Sequence, residues 1–291
     1  MSGSSATSAW SRPRVLRAVT WLYVLWSLVP VAIAVLFSFN QGRSRSTWQG
    51  FSMRWWTEDA GSLLHNEDLH EALWNSLVLA AATIVIAVPL GVALAIGLSR
   101  WRSRLAGGAN VVMLFPLVTP ELVLGASFFI VFTQLYTGVD LGRPAQILGH
   151  VTFTLSFVVV IVRARLAGIG STYEEAARDL GATPRQALRL VILPQLWPAI
   201  VASVVIVFAT SIDDFVVSSF VSAPGADTVP MRIYSQARGG ATPALNALAS
   251  FVLFVTIGVI VLGLAVMSRI RRRRGVGAGS DSLSDFTGFS V

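Results

Sequence analysis

Six mostly apolar stretches, each near or above the length needed to cross a hydrocarbon core about 30 Å thick, constrain this chain more than any other feature. They run from Val19 to Phe39, Asn75 to Leu98, Gly108 to Phe132, Ile147 to Val162, Trp197 to Val221 and Leu245 to Met267. No water is available in lipid to satisfy backbone N–H and C=O groups, so such stretches must be helical. Apolar residues make up 54% of the chain and charged residues 13%, with a mean hydropathy of +0.68. The expected fold is an all-α integral membrane protein with six transmembrane helices. The membrane domain is expected over residues 19–267, between a tail at 1–18 and a disordered Gly/Ser-rich tail at 268–291. Ala32-Ile33-Ala34 is faintly cleavage-like, but the apolar run around it is too long for a signal peptide. Pro116 and Pro120 are expected to break the third span, and Trp48, Trp55 and Trp56 to mark an interfacial belt.

Charge distribution sets the expected orientation. All 22 basic residues are arginine, and the net charge is +7. Alternate segments place sixteen arginines on one side of the membrane and six on the other. The arginine-rich side is expected to be cytoplasmic, with both termini inside. The positive charge therefore reads as topology rather than as a nucleic-acid footprint. The Arg271–Arg274 run reads as a stop-transfer anchor, with acidic lipid as the alternative. There is no cysteine, so there is no thiol nucleophile or thiolate metal site. His65, His70 and His150 fall at no metal-ligand spacing and read as ordinary residues. There is no Gly-rich phosphate loop with lysine, so no cofactor is expected and ATP must bind to another chain.

One polar island interrupts the apolar pattern, at residues 163–196 on the expected cytoplasmic side. Thr172-x-x-Glu175 and Thr183-x-x-Gln186 both fit a capping box. Pro184 suits a first helical position, and Gly181 a left-handed helix stop. Tyr173, Ala176, Ala177 and Leu180 recur at helical spacing on one face. The pattern predicts a short helix, a tight turn and a second short helix. Glu175-Ala176-Ala177, then Gly181, then Val191-Ile192-Leu193-Pro194 resembles the EAA loop of permease subunits of ATP-binding-cassette importers. Val191 replaces the family's isoleucine.

Three carboxylates fall inside apparent spans: Glu121, Asp213 and Asp214. A charge at mid-bilayer costs about 2.5–3.5 kcal/mol on insertion scales, so these groups should face the bundle interior or a water-filled path. Counted at 1.5 Å per residue from the cytoplasmic end, Glu121 and Asp213 lie about 20 and about 24 Å deep. At that shared depth they are candidates for the acidic lining of a cation path. Capping by local hydroxyls, or a place at the outer interface, is the structural alternative.

Further stretches are similar to the permease subunits of spermidine/putrescine importers, of PotC-like type. They are Phe51-Ser52-Met53-Arg54-Trp55-Trp56, Glu71-Ala72-Leu73-Trp74-Asn75-Ser76-Leu77, Pro116-Leu117-Val118-Thr119-Pro120-Glu121, Ser211-Ile212-Asp213-Asp214-Phe215-Val216-Val217-Ser218 and Val229-Pro230-Met231-Arg232-Ile233-Tyr234-Ser235. The resemblance implies a type I importer permease with the MetI-like fold, in a bacterial inner membrane. It also implies a second homologous permease, a cytoplasmic ATPase dimer and an extracytoplasmic solute-binding protein as partners. Glu174, Glu175, Ala176, Ala177, Gly181 and Pro194 are then the ATPase-coupling residues. A polyamine path requires carboxylates among apolar or aromatic walls. Asp213, Asp214 and Glu121 would supply charge, with Trp74 and Tyr234 as aromatic partners. Alternatives are the same machine for a metal-ion chelate or an aminophosphonate, or an intramembrane enzyme. Adjacent aspartates diverge by about 100° on a helix, a poor geometry for paired catalysis.

Overall fold

The computed structural model describes residues 14–44, 47–101, 103, 105–240 and 243–273. The tails predicted at 1–18 and 268–291 fall outside these residues, except for helical stretches at 14–18 and 268–273. Among the described residues the regular secondary structure is helical apart from one isolated antiparallel bridge between Asn40 and Phe51. The helices are α1 (Arg14–Phe37), α2 (Glu67–Arg100), α3 (Leu105–Val118), α4 (Glu121–Ile130), α5 (Arg143–Ile169), α6 (Thr172–Asp179), α7 (Pro184–Gln186), α8 (Leu193–Asp213), α9 (Val216–Phe220), α10 (Val229–Gly240) and α11 (Pro243–Arg273). Turns of π-helix occur at Arg54–Glu58, Val131–Leu135 and Ala187–Ile192. Among the described residues, five helical stretches are long and apolar enough to cross a membrane. The helices on either side of Thr119–Pro120 meet at a bend of 107°, and counting that pair as one span brings the number to six.

The helices depart from the sequence-based expectations where polar residues act. Pro116 lies inside α3, and the third span breaks only at Thr119–Pro120. A membrane helix can carry one proline where neighbouring groups take up the freed carbonyl. The second half of that span begins with Pro120 at ψ 134° and Glu121 in the first turn of α4. The fifth span does not run to Val221; α8 stops at Asp213, and α9 begins after a two-residue break. The predicted loop after it contains α10, held by Val229 N–H donation to Ser76 Oγ at 2.9 Å. The fourth span is longer than its apolar stretch, beginning at Arg143 and ending at Ile169.

The polar island folds as helix, turn and helix, with two corrections. The capping box at Thr172 does not form. The N-cap of α6 is Ser171, without a side-chain bond, and its carbonyl accepts the N–H groups of Glu174 and Glu175. The box at Thr183 does form, with Gln186 N–H donating to Thr183 Oγ1 and Thr183 N–H to Gln186 Oε1 at 2.8 Å. Gly181 turns the chain at φ +86°, a region that glycine enters without steric cost. The second helix is not a separate short one. From Pro184 it continues through the π turn into α8, so the turn is rigidly joined to a 30-residue stretch.

The chain divides into two compact units. In the unit made of residues 1–66 and 236–252, Trp55 is buried, and its indole N–H donates to the Asn40 carbonyl at 2.8 Å. Asn40 in turn donates to Ser44 and Thr47 carbonyls and accepts from Gln49 N–H. Trp55 and Trp56 pack on Ala244 and Ala247, so Trp55 is a core residue and not part of an interfacial belt. Asp59 closes the π turn. The Gly61 N–H and then the Arg54 guanidinium hold its carboxyl below the ordinary carboxylate range. In the unit made of residues 67–235 and 253–291, α2, α5 and α8 pack together. Their shared core includes Val88, Val92, Val158, Val162, Leu196 and Val207. Gly91 lets α2 approach α5 closely, since a Cβ there would stand 2.7 Å from the Val158 side chain, and small residues at such contacts suit interhelical packing in lipid.

Candidate functional site

The two broken spans border one cavity of about 550 Å³, a size typical of small-molecule pockets. Pro116, Leu117, Thr119, Pro120, Glu121 and Leu124 form one side. Thr210 and residues 213–217 form another, with Phe153 and Phe157 of α5 completing the wall. The half-helices that follow the breaks are packed together. A Cβ on Gly125 of α4 would stand 2.6 Å from the Phe220 ring of α9, closer than any side chain tolerates. Glycine at that position lets α4 lie against α9 and brings Glu121 to the cavity that Asp213 lines.

The three carboxylates share this cavity but differ in state. Glu121 and Asp213 are exposed to it. The Asp214 side chain is only 5% exposed and is surrounded by donors. Its Oδ1 accepts Val217 N–H at 3.3 Å, and its Oδ2 accepts Ser218 N–H at 2.8 Å. His150 Nε2 lies 3.2 Å from the same Oδ2. The aspartate pair of the sequence thus separates into an open carboxylate and one fully engaged in capping α9.

His150 is fully buried and is not an ordinary span-edge residue. Its Nδ1 lies 2.8 Å from Ser211 Oγ and its Nε2 2.9 Å from Ser218 Oγ. Nε2 thus faces both the Ser218 hydroxyl and the Asp214 carboxylate, and a proton on it would bridge to the carboxylate, which only accepts hydrogen bonds. The Ser211 hydroxyl then donates to Nδ1 of the neutral ring or accepts from the charged one.

The segment after α9 is pinned to α2 and α5. Asn75 donates to the Gly225 and Asp227 carbonyls at 3.0 and 3.1 Å, and the Arg143 guanidinium donates to the Asn75 side-chain oxygen. Gln146 donates to the Ala226 and Ser218 carbonyls. These bonds hold the far end of α9 in place. Trp74 is exposed on α2 and does not line the cavity. Tyr234 does not line it either, but its ring lies 4.5 Å from that of Phe215, which does. The aromatic wall is made by Phe153, Phe157 and Phe215.

The residues of the polar island lie at the other end of α8. Pro194 is in the first turn of that helix and Asp213 at its last position, about 28 Å apart along the axis. Glu174 pairs with Arg100 at the end of α2, at 2.7 Å. Glu175 and Ala176 are exposed and Ala177 half-buried, and Tyr173 and Leu180 are 56% and 90% exposed. The apolar face of α6 is therefore uncovered within this chain.

Residues 87–276, which include both the cavity and the polar island, match the family of inner membrane components of binding-protein-dependent transport systems. The chain belongs to that family. It is 35% identical over 272 residues to the putrescine transport system permease protein PotI of Escherichia coli, covering 92% of this chain and 94% of that one. It is also 35% identical over 249 residues to the spermidine/putrescine transport system permease protein PotC of the same organism, covering 86% and 92%. Its fold is similar to that of a chain in the crystal structure of a bacterial ABC transporter involved in the import of the acidic polysaccharide alginate. The TM-score is 0.69 at 18% identity, over 88% of this chain and 96% of that one. As a membrane component of such a transport system, the chain is a permease rather than an enzyme.

Two signals for the permease's missed residues were present in its sequence. His150, Phe153 and Phe157 fall at i, i+3 and i+7 on α5, and Ser211, Asp214 and Ser218 at i, i+3 and i+7 across the break. Each set reads in the sequence as one helical face, although the structure breaks the second at Asp214. Only the fold shows that the two faces meet.

Proposed function

We propose that this permease forms half of the transmembrane path of an ATP-driven polyamine importer and couples to a separate ATPase through the helix-turn-helix at 163–196. The observation that carries the reading is the cavity with two open carboxylates, Glu121 and Asp213, between phenylalanine walls. A polyamine presents ammonium groups joined by methylene chains. At about 4 Å each ammonium–carboxylate pair gains roughly 4 kcal/mol at an effective dielectric constant of 20. The phenylalanine faces add about 0.5–2 kcal/mol by cation–π attraction, and they accept the methylenes. The names of the PotI and PotC relatives point to the same solute class.

The uncovered face of α6 supports coupling. A lever must be stiff to transmit force. Here Gly181 makes the turn, and the Thr183 cap, the continuous helix into α8 and the Arg100–Glu174 pair resist bending. Glu175, Ala176 and Ala177 offer the small, close-approaching surface, and Pro194 starts the shaft. The arginine asymmetry supports a cytoplasmic position for this element and for both termini. A second homologous permease, a cytoplasmic ATPase dimer and an extracytoplasmic binding protein complete the assembly in a bacterial inner membrane.

The test is uptake of labelled putrescine and spermidine in cells that depend on this chain. Asp213→Asn is expected to lower uptake tenfold or more at normal membrane abundance. Unchanged uptake would remove the acidic path. The tagged permease should also bring down an ATPase subunit, and Gly181→Val should weaken that capture.

A further inference from the structure

The break between α8 and α9 contains neither proline nor glycine, so something must interrupt a helix that its residues could continue. In a continuous helix the N–H groups of Val217 and Ser218 would donate to the carbonyls of residues 213 and 214. Here both donate instead to the Asp214 carboxylate. Asp214 accordingly has an extended ψ of 121°. A carboxylate can hold this cap only while it stays charged and fixed in an apolar setting, which requires a partner. His150 is that partner, and it reaches both sides of the break. One ring contacts Ser211 in the last turn of α8, Asp214 at the break and Ser218 in α9, at 2.8, 3.2 and 2.9 Å. The ring reaches them from α5, a helix packed in the valine core.

We propose that His150 is a positioning residue of the cation path. By clamping Ser211, Asp214 and Ser218 it fixes the break, and the break turns Asp213 into the cavity while Asp214 stays engaged. His150 itself is not a solute ligand: it is fully buried and does not line the cavity. The inference rests on the cavity being the solute path, but the clamp can be tested without knowing the solute.

The chain has no cysteine, so Asp213→Cys places a single thiol at the position in question. The full chain, in its membrane with its co-expressed partners, is treated with a trimethylammonium-bearing methanethiosulfonate, and the labelling rate is followed. With His150 present the thiol should label readily. His150→Leu is expected to slow labelling fivefold or more, and His150→Gln, which keeps one donor and one acceptor, to restore it to within twofold. Leu117→Cys on the opposite wall should label at the same rate, within twofold, whether position 150 is His or Leu. Labelling at 213 that ignores His150→Leu would overturn the clamp. Equal slowing at 117 would also overturn it, because His150 would then be mere packing for the whole cavity. If His150→Leu does not reach the membrane, the Ser211→Ala, Ser218→Ala double variant decides. Two- to fivefold slowing at position 213 supports the clamp, and none removes it. With Asp213 intact, His150→Leu should raise the KM for putrescine fivefold or more and leave kcat within twofold. A chain that shows the labelling pattern but moves no polyamine would sink the solute reading and leave the clamp standing.

Discussion

Two membrane crossings are broken beside one cavity, and the two breaks have different physical origins. At Thr119–Pro120 the covalent structure of the chain permits the break. Proline lacks an N–H and disfavours the helical region for the preceding residue, so a helix ends there at little local cost. At Asp214 every residue could remain helical, and the break exists because a side chain takes the bonds that the backbone would have made. That side chain is held by His150, 64 positions earlier in the chain. A break of the first kind is written where it occurs. A break of the second kind is written in two distant segments and exists only after they have met. Substitutions at the second should therefore cost far more than substitutions at the first.

Asp214→Leu is the most severe change predicted. It removes the cap of α9 and leaves the buried imidazole facing an apolar side chain. Leaving a buried hydrogen-bonding group without its partner costs about 1–3 kcal/mol. The expected outcome is loss of the monodisperse permease peak in detergent and of uptake. An Asp214→Leu variant that purified and transported normally would erase the distinction between the breaks. Next comes Gly125→Ala, where the half-helices from the two breaks touch. A methyl group 2.6 Å from the Phe220 ring forces α4 and α9 apart. Overpacking of this kind costs about 1–3 kcal/mol. A lowered thermal unfolding midpoint, with uptake reduced severalfold, is the expected result. Phe220→Leu should relieve part of it, since it removes the ring that the methyl meets.

The same division between local and distant causes decides what could be read from the sequence. The apolar stretches were legible because a bilayer demands continuous apolar length, and each contains its own evidence. The turn at Gly181 and the Thr183 box were legible because every partner lies within a few residues. The box at Thr172 was legible in the same way and yet does not form, because Ser171 takes the cap position one residue earlier. Trp55 was misread because its partner Asn40 stands 15 residues away, across a turn that no spacing predicts. His150 was misread for the same reason on a larger scale. Glu121, Asp213 and Asp214 were legible as expensive charges, but the different states of the two aspartates were not. That difference depends on which of them the imidazole reaches.

Locally written features should also be cheap to alter. Thr183→Ala removes one side of the capping box and should cost about 1 kcal/mol of helix stability. The second side, Gln186 Oε1 accepting Thr183 N–H, survives the change. The expected readout is faster amide exchange confined to α7 and the turn before it, with uptake lowered about twofold. Exchange that spread along α8 would mean that the cap supports the whole shaft.

Pro120→Ala should have the smallest effect, although it alters the break that was easiest to read. Pro120 makes no side-chain cap bond, so none is lost. The N–H groups of Val123 and Leu124 donate to its carbonyl, and alanine keeps that carbonyl. The substitution releases Thr119 from its pre-proline restriction and adds freedom to the unfolded chain, worth about 0.4–1 kcal/mol. The bend should nonetheless persist, because α4 remains packed on α9 through Gly125 and Phe220. Uptake within twofold of the unaltered chain is expected. If Pro120→Ala straightened the span and abolished uptake, the proline would be enforcing the bend and not merely permitting it. The contact between the two half-helices would then follow from the proline break, and the cavity's geometry would be set at Pro120 rather than at Asp214.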